Sequence, residues 1–247
     1  MRLDQAVAAR HPDISRRKAR ELIAAHRVLV NDRVVSVASR EVKESDRLAV
    51  VVVDAEVDVI RITPDWIAVN KPSGIATQPE RDRKRRSLEE LVRVVLKQQG
   101  ERDDIWVVHR IDTPTSGVVV YARSRLAAAS LSKLFAERSV VKTYVAVVDG
   151  EIKSEQTIDT PIESREARTV VKPLRIVGGQ TLIEATIQTG RMHQIRIHLS
   201  GIGHPVSGDR RYGSQTAAPR PLLHSFRLEA PELGRLEAQW PDDFPAR

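Results

Sequence analysis

Cysteine is absent from the 247 residues, which removes a thiolate nucleophile, a disulfide framework and a cysteine-based zinc site together and suits a reducing compartment. Aromatic residues are scarce, at 4%, so a tyrosine inside a polar motif stands out. Long apolar runs are missing as well: the longest candidate, Leu48 to Val53, is broken at Asp54, well short of the roughly 20 residues that a membrane-spanning helix needs. The opening Met1-Arg2-Leu3-Asp4-Gln5 carries an acid where an export signal would hold its apolar stretch. No export signal, no membrane association and a cytoplasmic location are therefore expected.

What the chain does have is an ordinary globular balance, with 41% apolar and 30% charged residues, enough to bury a core. Its length suits two modest domains. The formal charge of +7 says little alone, but the positive charge is clustered. Arg191, Arg196, Arg210, Arg211, Arg220 and Arg227 lie in one stretch whose single acid is Asp209, which favours a polyanionic partner. Arg81 to Arg86 holds five bases and one acid and reads as a loop.

The segment from Met1 to about Asp58 reads as a small α/β unit. Leu3, Ala6 and Val7 fit one helical face ended by His11-Pro12. Ser15 caps a second helix, Arg16 to about His26, with Ala19, Leu22 and Ile23 on one side and Arg16, Arg17 and Arg20 on the other. Val28 to Val30, the Asn31-Asp32 turn and Val34-Val35 make a hairpin, and Leu48 to Val53 a further strand. From about Ile60 the pattern becomes a larger α+β region. Strands are expected at Trp66 to Val69, Trp106 to Ile111, Val118 to Tyr121, Thr143 to Val148 and Leu182 to Gln188, and helices at Ser87 to Gln98 and Leu126 to Glu137. Strands outnumber strand-helix alternations, so a mixed, largely antiparallel sheet is expected.

Two stretches could carry chemistry. In Val107-Val108-His109-Arg110-Ile111-Asp112-Thr113-Pro114-Thr115-Ser116-Gly117, extended backbone puts Arg110 and Asp112 on the same side, with the carboxylate beside a turn. Asp followed by Thr-Pro is also plain turn chemistry. In Thr189-Gly190-Arg191-Met192-His193-Gln194-Ile195-Arg196-Ile197-His198-Leu199, Ile195, Leu199 and Ile202 fit a helical stripe that leaves Arg196 off it and stops at Gly203, although a period of two fits in part. No His-Glu-x-x-His occurs, and His193 and His198 do not share a helical face, so no metal site is expected.

The N-terminal order Arg2-Leu3-Asp4, Ser15-Arg16-Arg17, Val28 to Asn31 and Ser45-Asp46 resembles an S4 RNA-binding domain. That resemblance implies that Arg16, Arg17, Lys18, Arg20 and Asn31 lie near phosphates. Val69-Asn70-Lys71-Pro72-Ser73-Gly74, the HRIDTPTSG stretch from His109, the Lys142-Thr143-Tyr144 strand and the GRMHQIRIH stretch from Gly190 together resemble the RluA family of pseudouridine synthases. The resemblance covers nearly the whole chain and implies an S4-like domain at 1–58 before a catalytic domain at 59–247. It implies an enzyme that isomerises uridine to pseudouridine in structured RNA with no metal or organic cofactor. Asp112 would be the catalytic aspartate, Tyr144 the active-site tyrosine, Arg196 the partner of the aspartate and Arg110 the arginine that holds the target nucleotide extruded. Asn70, Lys71, Arg191, His193 and Gln194 would contact substrate. Ile111 stands where leucine is usual, a nearly volume-conserving change, and Thr113-Pro114 replaces a more polar pair.

The reaction breaks N1–C1′, turns the base and joins C5 to C1′, so it needs a carboxylate near the sugar carbon, as nucleophile or as base. A neighbouring guanidinium would keep that carboxylate charged among phosphates. Tyr144 could stack on the everted base, and its hydroxyl could assist removal of the C5 proton. A glycosidase ordinarily needs two flanking carboxyl groups, and the motifs supply one. Large-subunit ribosomal RNA is the first expected target and transfer RNA the alternative, with a non-catalytic S4-type RNA-binding protein as the competing reading. No obligate protein partner is expected.

Overall fold

A computed structural model describes residues 1–12, 14–24, 28–31, 33–50, 57–79 and 87–244. The expected helix end at His26, the turn residue Asp32, strand residues 51–53 and the basic loop 81–86 lie outside the described residues. The rest falls into two compact units, one drawn from Met1–Glu56 and the other from Val57–Gln78 and the chain from Ser87 onward.

The first unit contains α1 (Leu3–Arg10), α2 (Arg16–Ala24) and a small antiparallel sheet of β1 (Val28–Val30), β2 (Arg33–Val34) and β3 (Leu48–Val50), in the order β2-β1-β3. Its core gathers Leu3, Ala6 and Val7 with Ala19, Leu22, Ile23, Val28 and Val30, the faces that the helical and strand periods single out. Ser15 Oγ accepts the backbone N–H of Lys18 at 3.2 Å and so starts α2.

The second unit runs β4 (Asp58–Ile62), β5 (Trp66–Lys71), α3 (Leu88–Gln98), β6 (Trp106–Val107), β7 (Ser116–Ala122), α4 (Arg125–Ala136), β8 (Val141–Asp149), β9 (Gln156–Ile158), β10 (Thr169–Val177), β11 (Gln180–Ile187), α5 (Gln194–Gly201), β12 (Leu223–Ala230) and β13 (Gly234–Glu237). Ten strands form one sheet in the order β4-β5-β7-β12-β8-β11-β10-β9, with β13 beside β12 and β6 beside β7. Every pairing is antiparallel except β7 with β12, where His224 faces Ser116 and Ser225 faces Gly117. The sheet is thus mixed and largely antiparallel, as expected. Gly117 has φ +116°, and a Cβ there would meet the carbonyl oxygen of Ser225 at 2.1 Å; only glycine lets these two backbones come together.

Ser87 caps α3 through a reciprocal pair with Glu90, and Ser124 caps α4 by accepting from Ala127 N–H. Side chains alternate along β8, so Val140, Lys142, Tyr144, Ala146 and Val148 share one face. At one end of this row Val140 packs with Leu131 of α4 and with Val118 and Val120 of β7. At the other, Tyr144, Ala146 and Val148 pack with Ile195 and Leu199 of α5 and with Ile183, Ala185 and Ile187 of β11. Lys142 and Tyr144 therefore lie where the two packed groups meet. Val145 and Val147 face the opposite side with Leu182, Phe226 and Phe244. Among the described residues no helix is long and apolar enough to cross a membrane.

Candidate active site

Strand β6 ends at Val107, four residues earlier than expected, because the chain leaves the sheet edge to build a turn. The turn closes where Thr115 N–H donates to the carbonyl of Asp112 at 3.0 Å. It is strapped from below by the segment after β5. Ser73 Oγ donates to Pro114 O at 2.7 Å, Thr77 Oγ1 donates to Ile111 O at 3.0 Å, and Gly74 N–H donates to Thr113 O at 2.8 Å. Lys71 completes the strap. Its ammonium is fully buried and donates to the carbonyls of Pro72, Ile75 and Thr113 at 3.0, 2.7 and 3.0 Å. Burial lowers the Lys71 pKa to about 7, against the pull of Asp112 and with help from Arg220. Lys71 was expected to touch substrate, but all three of its donors are spent inside the protein. Asn70 is also held away, donating to Asp58 Oδ2 at 3.1 Å on the β4–β5 pair.

Arg196 comes up to the Asp112 turn from α5. His193, at the helix N-cap, has φ +55°, a left-handed bend that turns the loop into the helix. Gln194 fixes that loop: its Oε1 accepts from Thr189 Oγ1 and Arg191 N–H, and its Nε2 donates to Arg168 O and Thr169 Oγ1. An amide so fully used shapes the loop, with both of its hydrogens engaged inside the protein, while the side chain still forms part of the cleft wall.

Arg196 is 5% exposed and grips Asp209, itself 1% exposed, through two parallel bonds, Nε to Oδ2 at 2.5 Å and Nη2 to Oδ1 at 2.9 Å. The remaining nitrogen, Nη1, donates to Asp112 Oδ2 at 3.4 Å. One guanidinium therefore joins two carboxylates, one enclosed and one, Asp112, 25% exposed. Tyr212 lies against the guanidinium, with 4.9 Å from Arg196 Cζ to the ring centre. His193 lies 3.8 Å from Asp112 Oδ2 through Nε2, while its Nδ1 pairs with the Tyr212 hydroxyl at 2.8 Å. Burial lowers the His193 pKa, opposed by Asp112 and reinforced by Arg196 and Arg211, which favours a neutral imidazole.

Asp112, His193 and Arg196 line a cleft of about 390 Å³ together with Arg110, Arg191, Gln194, His109, Lys142 and Tyr144, while Asp209 and Tyr212 stand behind Arg196. Arg110 is exposed at its edge. Arg191 donates from Nε to Glu166 O at 3.0 Å. Tyr144 is buried, and its phenol pKa is pushed up, first by burial and then by the charge of Asp112, with Ser225 opposing. Lys142 donates to Gln188 O at 3.0 Å, and burial lowers its pKa to about 8. His109 stacks on Phe135 with 4.4 Å between ring centres and accepts Val120 N–H at Nε2. Burial and then Lys142 lower its pKa to about 3, so this ring is neutral. Among the described residues no cluster of acids and histidines could hold a metal ion.

The structure thus gathers Arg110, Asp112, Tyr144, Arg191, His193, Gln194 and Arg196 around one cleft. His109 and Lys142 were missed as cleft groups, and Asp209 and Tyr212 as the groups that hold Arg196. A hint was present, because Asp209 is the single acid in an arginine-rich stretch and a buried arginine needs a partner.

In the first unit, Asp4 is fully buried and accepts from Arg2 at 3.1 Å, Arg16 at 3.1 Å and Arg20 at 2.8 Å. Burial alone would raise its pKa, but hydrogen bonds from Arg20, Arg16 and Arg2 hold it well below the usual range. Arg16 and Arg20 stay about half exposed, so they can still meet phosphates while anchored by Asp4. Arg17 and Lys18 lean toward Glu21. Asn31, with φ +50°, donates to Asp46 and accepts Arg47 N–H. Its side chain closes the hairpin, so a phosphate contact would have to share it.

A family model described as RNA pseudouridylate synthase matches residues 65–201, and one described as S4 domain matches residues 1–48. An uncharacterised RNA pseudouridine synthase of Bacillus subtilis is 32% identical over 249 residues, covering 89% of this chain and 81% of that protein. The ribosomal large subunit pseudouridine synthase D of Nitrosomonas europaea is 28% identical over 286 residues, covering 100% and 83%. The solved structure of human RNA pseudouridylate synthase domain containing 1 superposes with a TM-score of 0.64 at 26% identity, covering 77% of this chain and 85% of that one.

Proposed function

The chain belongs to the RNA pseudouridylate synthase family, and from that premise we propose that Asp112 is the carboxylate that acts on an everted uridine, in large-subunit ribosomal RNA. The observation that carries this reading is the shared guanidinium. Asp112 stands in an open cleft with Arg196 Nη1 3.4 Å from its carboxylate, and Arg196 is itself fixed by two bonds to Asp209. The lysine-strapped turn aims the aspartate, and the arginine sets a fixed positive charge beside it.

A base must leave its stack before any side chain can reach C1′, at a cost of a few kcal/mol. Arg110, exposed at the edge of the cleft, is placed to fill the gap that the base leaves. Tyr144 offers a ring face on the sheet beneath, and base stacking on such a ring contributes about 1–3 kcal/mol. Asp112 then acts at the sugar, either by attack on C1′ or as a base on the ribose, as N1–C1′ breaks. The freed uracil turns, C5 bonds to C1′, the C5 proton leaves and N1 gains one. Because its pKa is raised, Tyr144 is a neutral phenol at neutral pH, better suited to stack or donate than to take the C5 proton.

Support for the ribosomal target comes from the relatives named large subunit pseudouridine synthase D and from the matched S4 domain with its half-exposed Arg16 and Arg20. The test uses ribosomal and transfer RNA tritiated at uridine C5, with mapping of the product. Asp112→Asn is expected to release tritium at least about 1000-fold more slowly, roughly 4 kcal/mol of barrier, with RNA affinity within about threefold of wild type. Turnover by Asp112→Asn at the wild-type rate refutes the role of Asp112, and modification confined to transfer RNA refutes the target.

A further inference from the structure

We propose that Asp149, at the far end of β8 and outside the cleft, is a positioning residue for the active site: its carboxylate is the hub around which the segment carrying Asp209 is folded. This rests on the reading of Asp112 as the reacting carboxylate.

The segment from His204 to Thr216 wraps around this one side chain. Ser207 Oγ and Thr216 Oγ1 donate to Asp149 Oδ1 at 2.6 and 2.8 Å, and Ser214 Oγ donates to Oδ2 at 2.7 Å. The backbone of Asp149 joins in, its N–H donating to Pro205 O and its carbonyl accepting from His204 Nδ1. Ser214 carries the connection onward. While its proton goes to Asp149, its oxygen accepts the N–H of Gly208 at 3.0 Å and of Thr216 at 3.2 Å. Ser214 N–H in turn donates to Asp209 O at 3.1 Å. Gly208 has φ +82°, and a Cβ there would lie 2.2 Å from Arg220 O, so the backbone just before Asp209 has almost no room to shift.

A continuous chain of bonds therefore runs from Asp149 through Ser214 to the backbone of Asp209, on through the two-bonded pair to Arg196, and ends at Asp112. The chemistry of the hub calls for a carboxylate. Three hydroxyls all donate to it, and the oxygens of all three already accept: Ser207 and Thr216 from Gln180 Nε2 and Ser214 from backbone N–H groups. A group that accepts at both ends fits this set, whereas an amide would set a donor against a hydroxyl with no free acceptor. Burial would raise the Asp149 pKa, but the Ser207, Ser214 and Thr216 hydroxyls together with Gln180 bring it down, consistent with a permanent anion.

The test is a double-mutant cycle in the full-length protein. Asp149→Asn is expected to slow single-turnover tritium release about 10- to 100-fold, the scale on which a misplacement of about 1 Å acts, with the Kd for RNA within about threefold. In an Asp209→Asn background, adding Asp149→Asn is expected to change the rate by less than about threefold, because the route through Asp209 is already cut. A residue that merely supports the fold would cost the same factor in both backgrounds, and that result overturns the proposal, as does a wild-type rate for Asp149→Asn. Ser214→Ala removes one spoke and keeps the hub. It is expected to slow release several-fold with unchanged RNA affinity, and it decides the matter if Asp149→Asn does not fold. Asp112→Asn runs alongside: if it turns over normally, the reading of Asp112 fails. If it is inactive while the Asp149 and Ser214 variants are normal, only the present inference fails.

Discussion

Replacing Arg196 by lysine keeps the charge and removes the geometry. The wild-type guanidinium spends Nε and Nη2 on Asp209 and Nη1 on Asp112. A lysine ammonium is a point charge on a flexible stem and cannot form the two-bonded pair and reach the second carboxylate at once. Asp209, at 1% exposed, is the more demanding partner, so the ammonium settles there and Asp112 loses its cation. An opposite-charge pair 4 Å apart is worth about 1 kcal/mol in water and about 4 kcal/mol at the effective dielectric of a protein surface. Asp112 is 25% exposed, which points to roughly 2–3 kcal/mol between those limits, and at 1.36 kcal/mol per decade Arg196→Lys should slow the chemical step about 100-fold. RNA affinity should stay within about threefold, because the buried Arg196 offers phosphates almost no surface. Arg196→Met should differ in kind. It leaves Asp209 a buried, unpaired anion, at about 3–5 kcal/mol, and lowers Tm by roughly 6–20 °C. Single-turnover tritium release, filter binding and thermal melts on the three proteins separate the terms. Wild-type turnover by the lysine variant, or a methionine variant as stable as wild type, refutes the reasoning.

Stability should fall on acidification. His109 and His224 have pKa values lowered to about 3 and about 4 by burial, so between pH 6.5 and about 4 the unfolded chain binds protons that the folded one refuses, and ΔG of unfolding drops with pH. Urea melts at pH 7 and pH 5 should show this, with a smaller drop in His109→Gln; a flat profile contradicts it. Lys71 acts at the other end: with its pKa near 7 when folded and about 10.4 when unfolded, it makes stability rise as pH climbs from 7 toward 10. Lys71→Met should remove much of that rise and cost about 1–3 kcal/mol for the carbonyls it leaves unpaired; an unchanged slope contradicts the assignment. If about five phosphates are contacted, log Kd against log salt should have a slope of magnitude near 3.5, and deleting residues 1–56 should flatten it. An unaltered slope denies the N-terminal unit its part in RNA binding.

The periodic elements and the cleft motifs were legible in the sequence because both rest on local pattern. Short apolar runs marked β7 and β8, the capping Ser15 marked α2, and the stripe of Ile195 and Leu199 marked α5. What stayed hidden depends on contacts between distant residues. Lys71 and Gln194 sit inside motifs and look like ligand-facing groups, yet Lys71 is spent on backbone carbonyls and Gln194 on threonine hydroxyls and backbone groups, several of which only the folded chain brings near. Asp209 reads as one acid in a basic stretch until Arg196 is seen to be buried against it. Likewise, no local signal announces that β12 slots between β7 and β8, since the enabling feature is a missing Cβ at Gly117 opposite Ser225.

That insertion has a bearing on how the protein is made. Strands β7 and β8 leave the ribosome roughly 110 and 80 residues ahead of β12, and each waits with an unpaired edge until Leu223–Ala230 arrives to join them. Until then the nascent chain carries Asp112 and most of the motif residues but no closed sheet to hold them, and its bare edges invite association with other chains. Competence to modify RNA is thereby deferred until Leu223–Ala230 has been made, and a product cut short before Leu223 should be both inert and prone to aggregate.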